Sequence, residues 1–279
     1  MTGTEFEFVT RRPTGVLEPF TESVWFARGR MPYPRERIAP TGSTVAVLVL
    51  GSPIVQTPRN GDGPAFVATE GWLAGPHDQP VINAPTAETL AVGVVSSPVG
   101  CRALFGVDPA PLRGRVVDLM TVWPPARALR AALLARPDPA ACLDAVEATL
   151  RAGLSPARAW RRCTTAVAAL EADPRRRISV LAAELGITPA HLDREFVRVI
   201  GLTPRSLARI LRLRRLLNRV DVHSDLNWTG LAAAWGWFDQ SHFIRDFKRH
   251  SGVTPSAYVL AQRGAYATGQ NEPGFVPEM

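Results

Sequence analysis

A segment in the C-terminal third of this sequence occurs twice, about fifty residues apart. Leu181-Ala-Ala-Glu-Leu-Gly186 is answered by Leu231-Ala-Ala-Ala-Trp-Gly236. After a turn one residue longer in the second copy, the match resumes. His191 corresponds to His242, Leu192 to Phe243, Arg194 to Arg245, Phe196 to Phe247, Gly201 to Gly252, and Thr203-Pro204 to Thr254-Pro255. Each copy has the parts of a helix-turn-helix: a short Ala-rich helix that can be approached closely, a Gly near the turn, a capped second helix and a Gly that stops it. The segment is therefore constrained to two copies of one helical unit.

Helix starts are legible beyond Pro124-Pro125, because a capping residue precedes Pro at Asp138-Pro139, Ser155-Pro156, Thr188-Pro189, Thr203-Pro204 and Thr254-Pro255. The side-chain oxygen accepts an orphan backbone N–H, and Pro at the first helical position loses no hydrogen bond. Everything after residue 125 is read as helical. In the first repeat, Leu192, Phe196 and Val199 share an inward face, which turns Ala190, Asp193, Arg194 and Val197 outward. In the second, burial of Phe243 and Phe247 leaves Gln240, Ser241, Ile244, Arg245 and Lys248 available. Arg198 and Arg249 complete the candidate DNA-contacting set. Outward Gln and Arg can make bidentate contacts to adenine and guanine edges, whereas Ala190 offers only a methyl and Asp193 is repelled by phosphate unless it meets a cytosine amine. The second unit is expected to discriminate more. Thr203–Asn218 reads as one Arg- and Leu-rich helix, a connector able to hold two recognition helices about 34 Å apart, one turn of DNA.

With these residues in view, 174–263 resembles the DNA-binding domain of the AraC/XylS family. The resemblance is carried by Ile178-x-x-Leu181-Ala182, Gly186, Leu192-x-Arg194-x-Phe196, Gly201-x-Thr203-Pro204, Arg212-Leu213, Trp228-x-x-Leu231-Ala232, Gly236, His242-Phe243-x-Arg245-x-Phe247-Lys248 and Gly252-x-Thr254-Pro255. It implies DNA contact by Ala190, Asp193 and Arg194 from the first unit and by Gln240, Ser241, Ile244 and Arg245 from the second. Leu216 stands where the family usually has Ala, and Trp237 where it usually has Phe. Leu17-x-Pro19-Phe20-x-x-x-Val24-Trp25, Pro40-x-Gly42, Gly71-Trp72-x-x-Gly75-Pro76 and Gly93-x-x-x-x-Pro98-x-Gly100 are similar to a domain type found ahead of such modules, which implies a sensory or dimerising role.

Charge distribution agrees. The chain of 279 residues carries a net +7, and residues 172–263 hold 15 Lys+Arg against 8 Asp+Glu while the remainder balances at 17 against 17. A basic domain beside a neutral one suggests a polyanionic partner for the first. From Pro13 to about Trp123 the sequence is broken by Pro and Gly, with β-prone runs at Val45–Leu50, Ala65–Thr69 and Leu90–Val95, and reads as a β barrel or sandwich. The expected fold is α+β, with a mainly-β sensor or dimerisation domain (1–125), a helical linker (126–172), the double helix-turn-helix domain (173–263) and a disordered tail (264–279).

Other chemistries find little support. Cys101, Cys142 and Cys163 are widely spaced and read as reduced core residues, without the exposed, basic setting of an alkyl-accepting thiol. His77 is the only His in the first 190 residues, too few for a cupin-like metal centre. No metal, cofactor or catalytic residue is expected. Trp25, Trp72 and His77 read either as core or as the lining of an effector pocket, and Arg175-Arg176-Arg177 either as a phosphate clamp or as a solvated linker. His191 and His242 favour a shared packing or phosphate contact over acid/base chemistry. No stretch approaches the roughly 20 apolar residues of a membrane span, and Glu5 and Glu7 stand where a signal peptide would be basic, so a cytoplasmic location away from membranes is expected. The expected partner is double-stranded promoter DNA, then RNA polymerase in an activator's role, a small-molecule effector and a second copy in a homodimer.

Overall fold

The computed structural model describes residues 6–135, 138–155, 160–267 and 272–279. Its N-terminal half is built on antiparallel strands: Glu7–Arg11 (β1), Thr21–Gly29 (β2), Arg35–Ile38 (β3), Val45–Val49 (β4), Ile54–Thr57 (β5), Phe66–Ala68 (β6), Gly71–Ala74 (β7), Val81–Pro85 (β8), Thr89–Ser96 (β9) and Val116–Asp118 (β10). The three β-prone runs of the sequence correspond to β4, β6 and β9. One sheet runs β1-β2-β9-β4-β7-β10. The second contains β3-β8-β5-β6 and gains a further edge strand, Phe275–Glu278 (β11), beside β3.

Period-two alternation divides β4 between two cores. Val47 and Val49 face the second sheet, with Trp72, Ala74, Ala91, Ile54 and Ala68. Ala46 and Leu48 face the opposite way, with Leu73, Val92 and Val94, into a larger core shared with helices. Trp25 lies so close over Gly93 that a Cβ there would come within 2.1 Å of the indole. Between the sheets, three polar side chains stand in register across β3, β8 and β5. Asn83 Nδ2 donates to Glu36 Oε1 at 2.9 Å, and Gln56 Nε2 donates to Asn83 Oδ1. Tyr33 donates to Glu36 Oε2 at 3.0 Å. Burial pushes the Glu36 carboxyl up to about 7, against the lowering effect of these bonds.

The helices are Gly100–Phe105 (α1), Leu119–Val122 (α2), Pro125–Leu134 (α3), Pro139–Gly153 (α4), Trp160–Ala172 (α5), Ile178–Glu184 (α6), Pro189–Ile200 (α7), Pro204–Leu217 (α8), Trp228–Ala234 (α9), Gln240–Ser251 (α10) and Pro255–Ala265 (α11). Asp138, Thr188, Thr203 and Thr254 all cap as expected; the residues following Ser155 lie outside the described set. The large core runs without a break from the outer face of the first sheet through α4 and α5 into α6, α7 and the first half of α8. The rest of α8 belongs to a separate core with α9, α10 and α11. This is the α+β arrangement that the pattern predicts, a mainly-β half followed by a helical one.

The C-terminal tail is a correction to the sequence reading. Residues 275–278, expected in a disordered or helical stretch, form β11, with Phe275 opposite Ile38 and Glu278 opposite Arg35. Glu278 pairs with Arg35 and Arg37, and Val276 is buried in the core of the second helical unit. The buried Gln262 amide of α11 donates to the carbonyls of Glu272 and Phe275 and accepts the Glu272 N–H, satisfying backbone that would otherwise be stranded.

Candidate nucleic-acid interface

Each second helix of the repeat is opened by a side chain and closed by a glycine. The Thr188 hydroxyl oxygen accepts the His191 N–H at 3.3 Å, and the Asp239 carboxylate accepts the His242 N–H at 2.6 Å. Gly201 and Gly252 end α7 and α10, both at φ +81°. The turns before these helices pass through Gly186 at φ +69° and Gly236 at φ +81°, left-handed values that a side chain with a Cβ adopts only under strain.

Burial sets the faces. Leu192 and Phe196 are fully buried in α7, and the third buried position is Ile200 rather than Val199, which is only half-buried. The spacing is i, i+4, i+8, and the outward face is unchanged: Ala190, Asp193, Arg194, Val197 and Arg198 are all exposed. In α10, Phe243 and Phe247 sit inside an aromatic cluster with Trp228, Trp237 and Tyr258. Gln240, Ser241, Arg245, Lys248 and Arg249 are exposed, whereas Ile244 is half-buried against that cluster, which leaves only part of its side chain for a groove.

The two units are braced alike. In α7, Glu195 lies 3.3 Å from His191 Nε2 and 2.8 Å from Arg162 of α5. In α10, Asp246 lies 3.5 Å from His242 Nε2 and 2.8 Å from Arg212 of α8. The recurring histidines thus hold a packing position beside an acid one turn away. Trp237 adds an indole N–H to Asp246 at 3.1 Å, and the Arg212 guanidinium lies 4.2 Å over its ring. A Phe there could stack but could not donate. Arg212 also donates to the Gly236 carbonyl at 3.2 Å, so one side chain of the connector holds both the turn and the recognition helix.

Arg176 pairs with Glu184 and Arg175 lies 3.6 Å from Asp173. All three thiols are buried, and burial pushes Cys101 up to about 11 and Cys163 up to about 12, far from the thiolate a group acceptor needs. Trp72 is core. One exposed residue escaped the sequence reading. Phe238, 92% exposed, stands in the turn immediately before the Asp239 cap. Its signal was the Trp-Phe pair 237–238, only one of whose rings can occupy the single core position.

The end of α10 is tied to the β half. Arg249 at the end of α10 pairs with Asp78 at 2.7 Å, and His250 Nδ1 donates to the Asp78 carbonyl at 2.8 Å.

Two capped, glycine-stopped helices with exposed polar faces, joined by one Arg-braced connector, form a pair of helix-turn-helix units. Residues 181–261 match the family described as a helix-turn-helix domain, and this segment is a domain of the AraC type. No curated protein matches the chain. Among solved structures the chain is similar to ToxT from Vibrio cholerae, with a TM-score of 0.47 at 11% identity over 91% of this chain and 98% of that one. It is similar to the unsaturated fatty acid bound ToxT of Vibrio cholerae strain SCE256, with a TM-score of 0.48 at 12% identity over 98% of each chain. It is also similar to the AraC-like transcriptional activator CuxR, with a TM-score of 0.25 at 13% identity over 77% of this chain and 87% of that one.

Proposed function

We propose that the protein is a one-component regulator that reads a promoter through α7 and α10, entering two successive major-groove segments on one face of the duplex. The observation that carries this reading is the paired exposure of Ala190, Asp193, Arg194 and Arg198 on α7 and of Gln240, Ser241, Arg245, Lys248 and Arg249 on α10, each on a helix fixed by the same acid–Arg brace. Gln240, Ser241 and Arg245 act as base readers, with a smaller contribution from Ile244, and Lys248 and Arg249 as phosphate contacts. The β half serves as the sensor or dimerisation module, and RNA polymerase, a small-molecule effector and a second copy of the chain are the remaining partners. Among the described residues no helix is long and apolar enough to cross a membrane, and the cytoplasm is the compartment in which promoter binding would take place.

Selection of bound sequences from a random duplex pool by the full-length protein, followed by titration of the winner against random DNA at two salt concentrations, tests this. An enriched site with two motifs about one helical turn apart is expected. Salt-sensitive binding without enrichment would defeat the reading.

A further inference from the structure

Three loops of the β half meet beside the end of α10. They are the segments around Arg59, around His77 and Asp78, and around Arg113, and they enclose a cleft of about 260 Å³ lined by Arg59, His77, Asp78, Gln79, Arg113 and Gly114. Its charge is unbalanced. Asp78 already pairs with Arg249 at 2.7 Å and lies 3.5 Å from Arg113. These guanidinium groups outweigh the effect of burial and hold its carboxyl below the usual range. Arg59 has no carboxylate within ion-pair distance among the described residues. The cleft therefore offers one unpaired guanidinium and a second that shares its carboxylate, an arrangement suited to oxyanions.

Arg59 and Asn60 both hold φ +55°, the left-handed region that side chains with a Cβ seldom occupy. The conformation is imposed by two bonds: the Asn60 N–H donates to the Pro80 carbonyl at 2.7 Å, and Arg37 Nε donates to Asn60 Oδ1 at 2.8 Å. Strain of this kind persists where the surroundings over-determine it, and it concentrates at ligand clamps. His77 is 7% exposed, and burial holds its imidazole below the ordinary range. As a neutral ring it donates Nδ1–H to the Gly75 carbonyl at 2.9 Å, which leaves Nε2 as an acceptor for a hydroxyl.

We propose that this cleft binds a small oxyanion, a phosphate- or carboxylate-bearing molecule, through Arg59 and Arg113, and that its occupancy is passed to the second recognition helix through Asp78. An anion that draws Arg113 away leaves the Asp78 carboxylate to Arg249 alone, and so changes the contact that keeps a DNA-contacting side chain against the β half. The coupling rests on the regulator reading above, but the binding does not.

The test is calorimetric titration of the full-length protein with inorganic phosphate and, separately, with acetate, at fixed pH and ionic strength. Saturable binding of at least one probe is expected, weakened at least tenfold in Arg59→Gln and in Arg113→Gln and unchanged in Arg28→Gln on the distant β2. Urea midpoints matching the parent would show that both variants are folded, and the preferred probe identifies the headgroup. No saturable heat with either probe, or equal binding by all variants, would overturn the site. In a second arm, the selected duplex is titrated with and without saturating probe. A shift in affinity of at least threefold that disappears in Asp78→Asn is expected, and saturable binding with unchanged DNA affinity would overturn the coupling. Enrichment from the random pool with silent calorimetry sinks the cleft and spares the regulator; calorimetric binding without enrichment does the reverse.

Discussion

Arg245 and Lys248 lie one turn apart on the same exposed face of α10, yet they should behave differently on DNA. Arg245→Ala is expected to cost about 1–3 kcal/mol on the selected site and to relax preference at one base pair. Lys248→Ala should weaken all sequences alike and reduce the salt slope by about one unit. Competition titrations against specific and random duplexes separate the two, and equal losses on both duplexes for both variants would reverse the assignment. The outward face of each helix was legible because the apolar positions repeat at helical spacing. The partners of that face were not. Asp78, which holds Arg249, is 171 positions away in sequence, and no local pattern reports a contact of that range. The exposure of Phe238 was not legible for a related reason, since the Trp-Phe pair marks a core position without saying which of two adjacent rings will fill it.

At the scale of elements, helix starts were the most readable features and strand pairings the least. Thr203 accepts the Ser206 N–H at 3.2 Å, a local bond that follows from the identity of one residue and its Pro neighbour. Thr203→Ala should cost about 1 kcal/mol, read as a shift in urea midpoint. Phe243→Ala, which opens a hole beside Trp228, Trp237 and Phe247, should cost about 3–5 kcal/mol. Because the aromatic core of the second unit is separate from the large core, hydrogen exchange should show that loss in α9–α11 before α6–α7. Uniform loss of protection would mean that the two cores unfold as one. The strands were harder to find because several, such as Arg35–Ile38, are short and polar, and are strands only by virtue of neighbours recruited from far along the chain. β11 is the extreme case. Its β-prone Phe275 and Val276 are cut short by Pro277, and its pairing partner lies more than two hundred residues earlier.

For the whole molecule, the buried Glu36 network predicts a pH dependence. With its carboxyl at about 7 in the fold against 4.5 as the ordinary value, the native state keeps a proton that the unfolded chain releases. Its contribution is therefore greatest at low pH and is lost as pH rises through about 7, on the order of 3 kcal/mol in all. Buried His77 and His250, both held below the ordinary imidazole range, contribute the opposite slope, since they must charge as pH falls. Glu36→Gln isolates the carboxyl: it should be more stable than the parent at pH 8 and nearly equal at pH 5 by urea denaturation. A constant difference across that range would place the Glu36 titration outside it. The same network reaches the helical half, for Tyr33 shares a 3.1 Å hydrogen bond with Tyr266 beyond α11.

The return of β11 to the second sheet also sets an order of events during synthesis. A β domain made early can ordinarily fold while the ribosome is still adding later residues. Here the edge beside β3 stays open until residues 275–278 emerge, so the growing chain carries an unpaired strand edge, the kind that invites pairing with another chain, through the synthesis of both helix-turn-helix units. A chain ending after α11 should have an aggregation-prone β half and a second-unit core that lacks Val276, and a peptide spanning 272–279 supplied in trans should suppress that aggregation. The emergence of β11 would then act as the latch that keeps nascent chains apart.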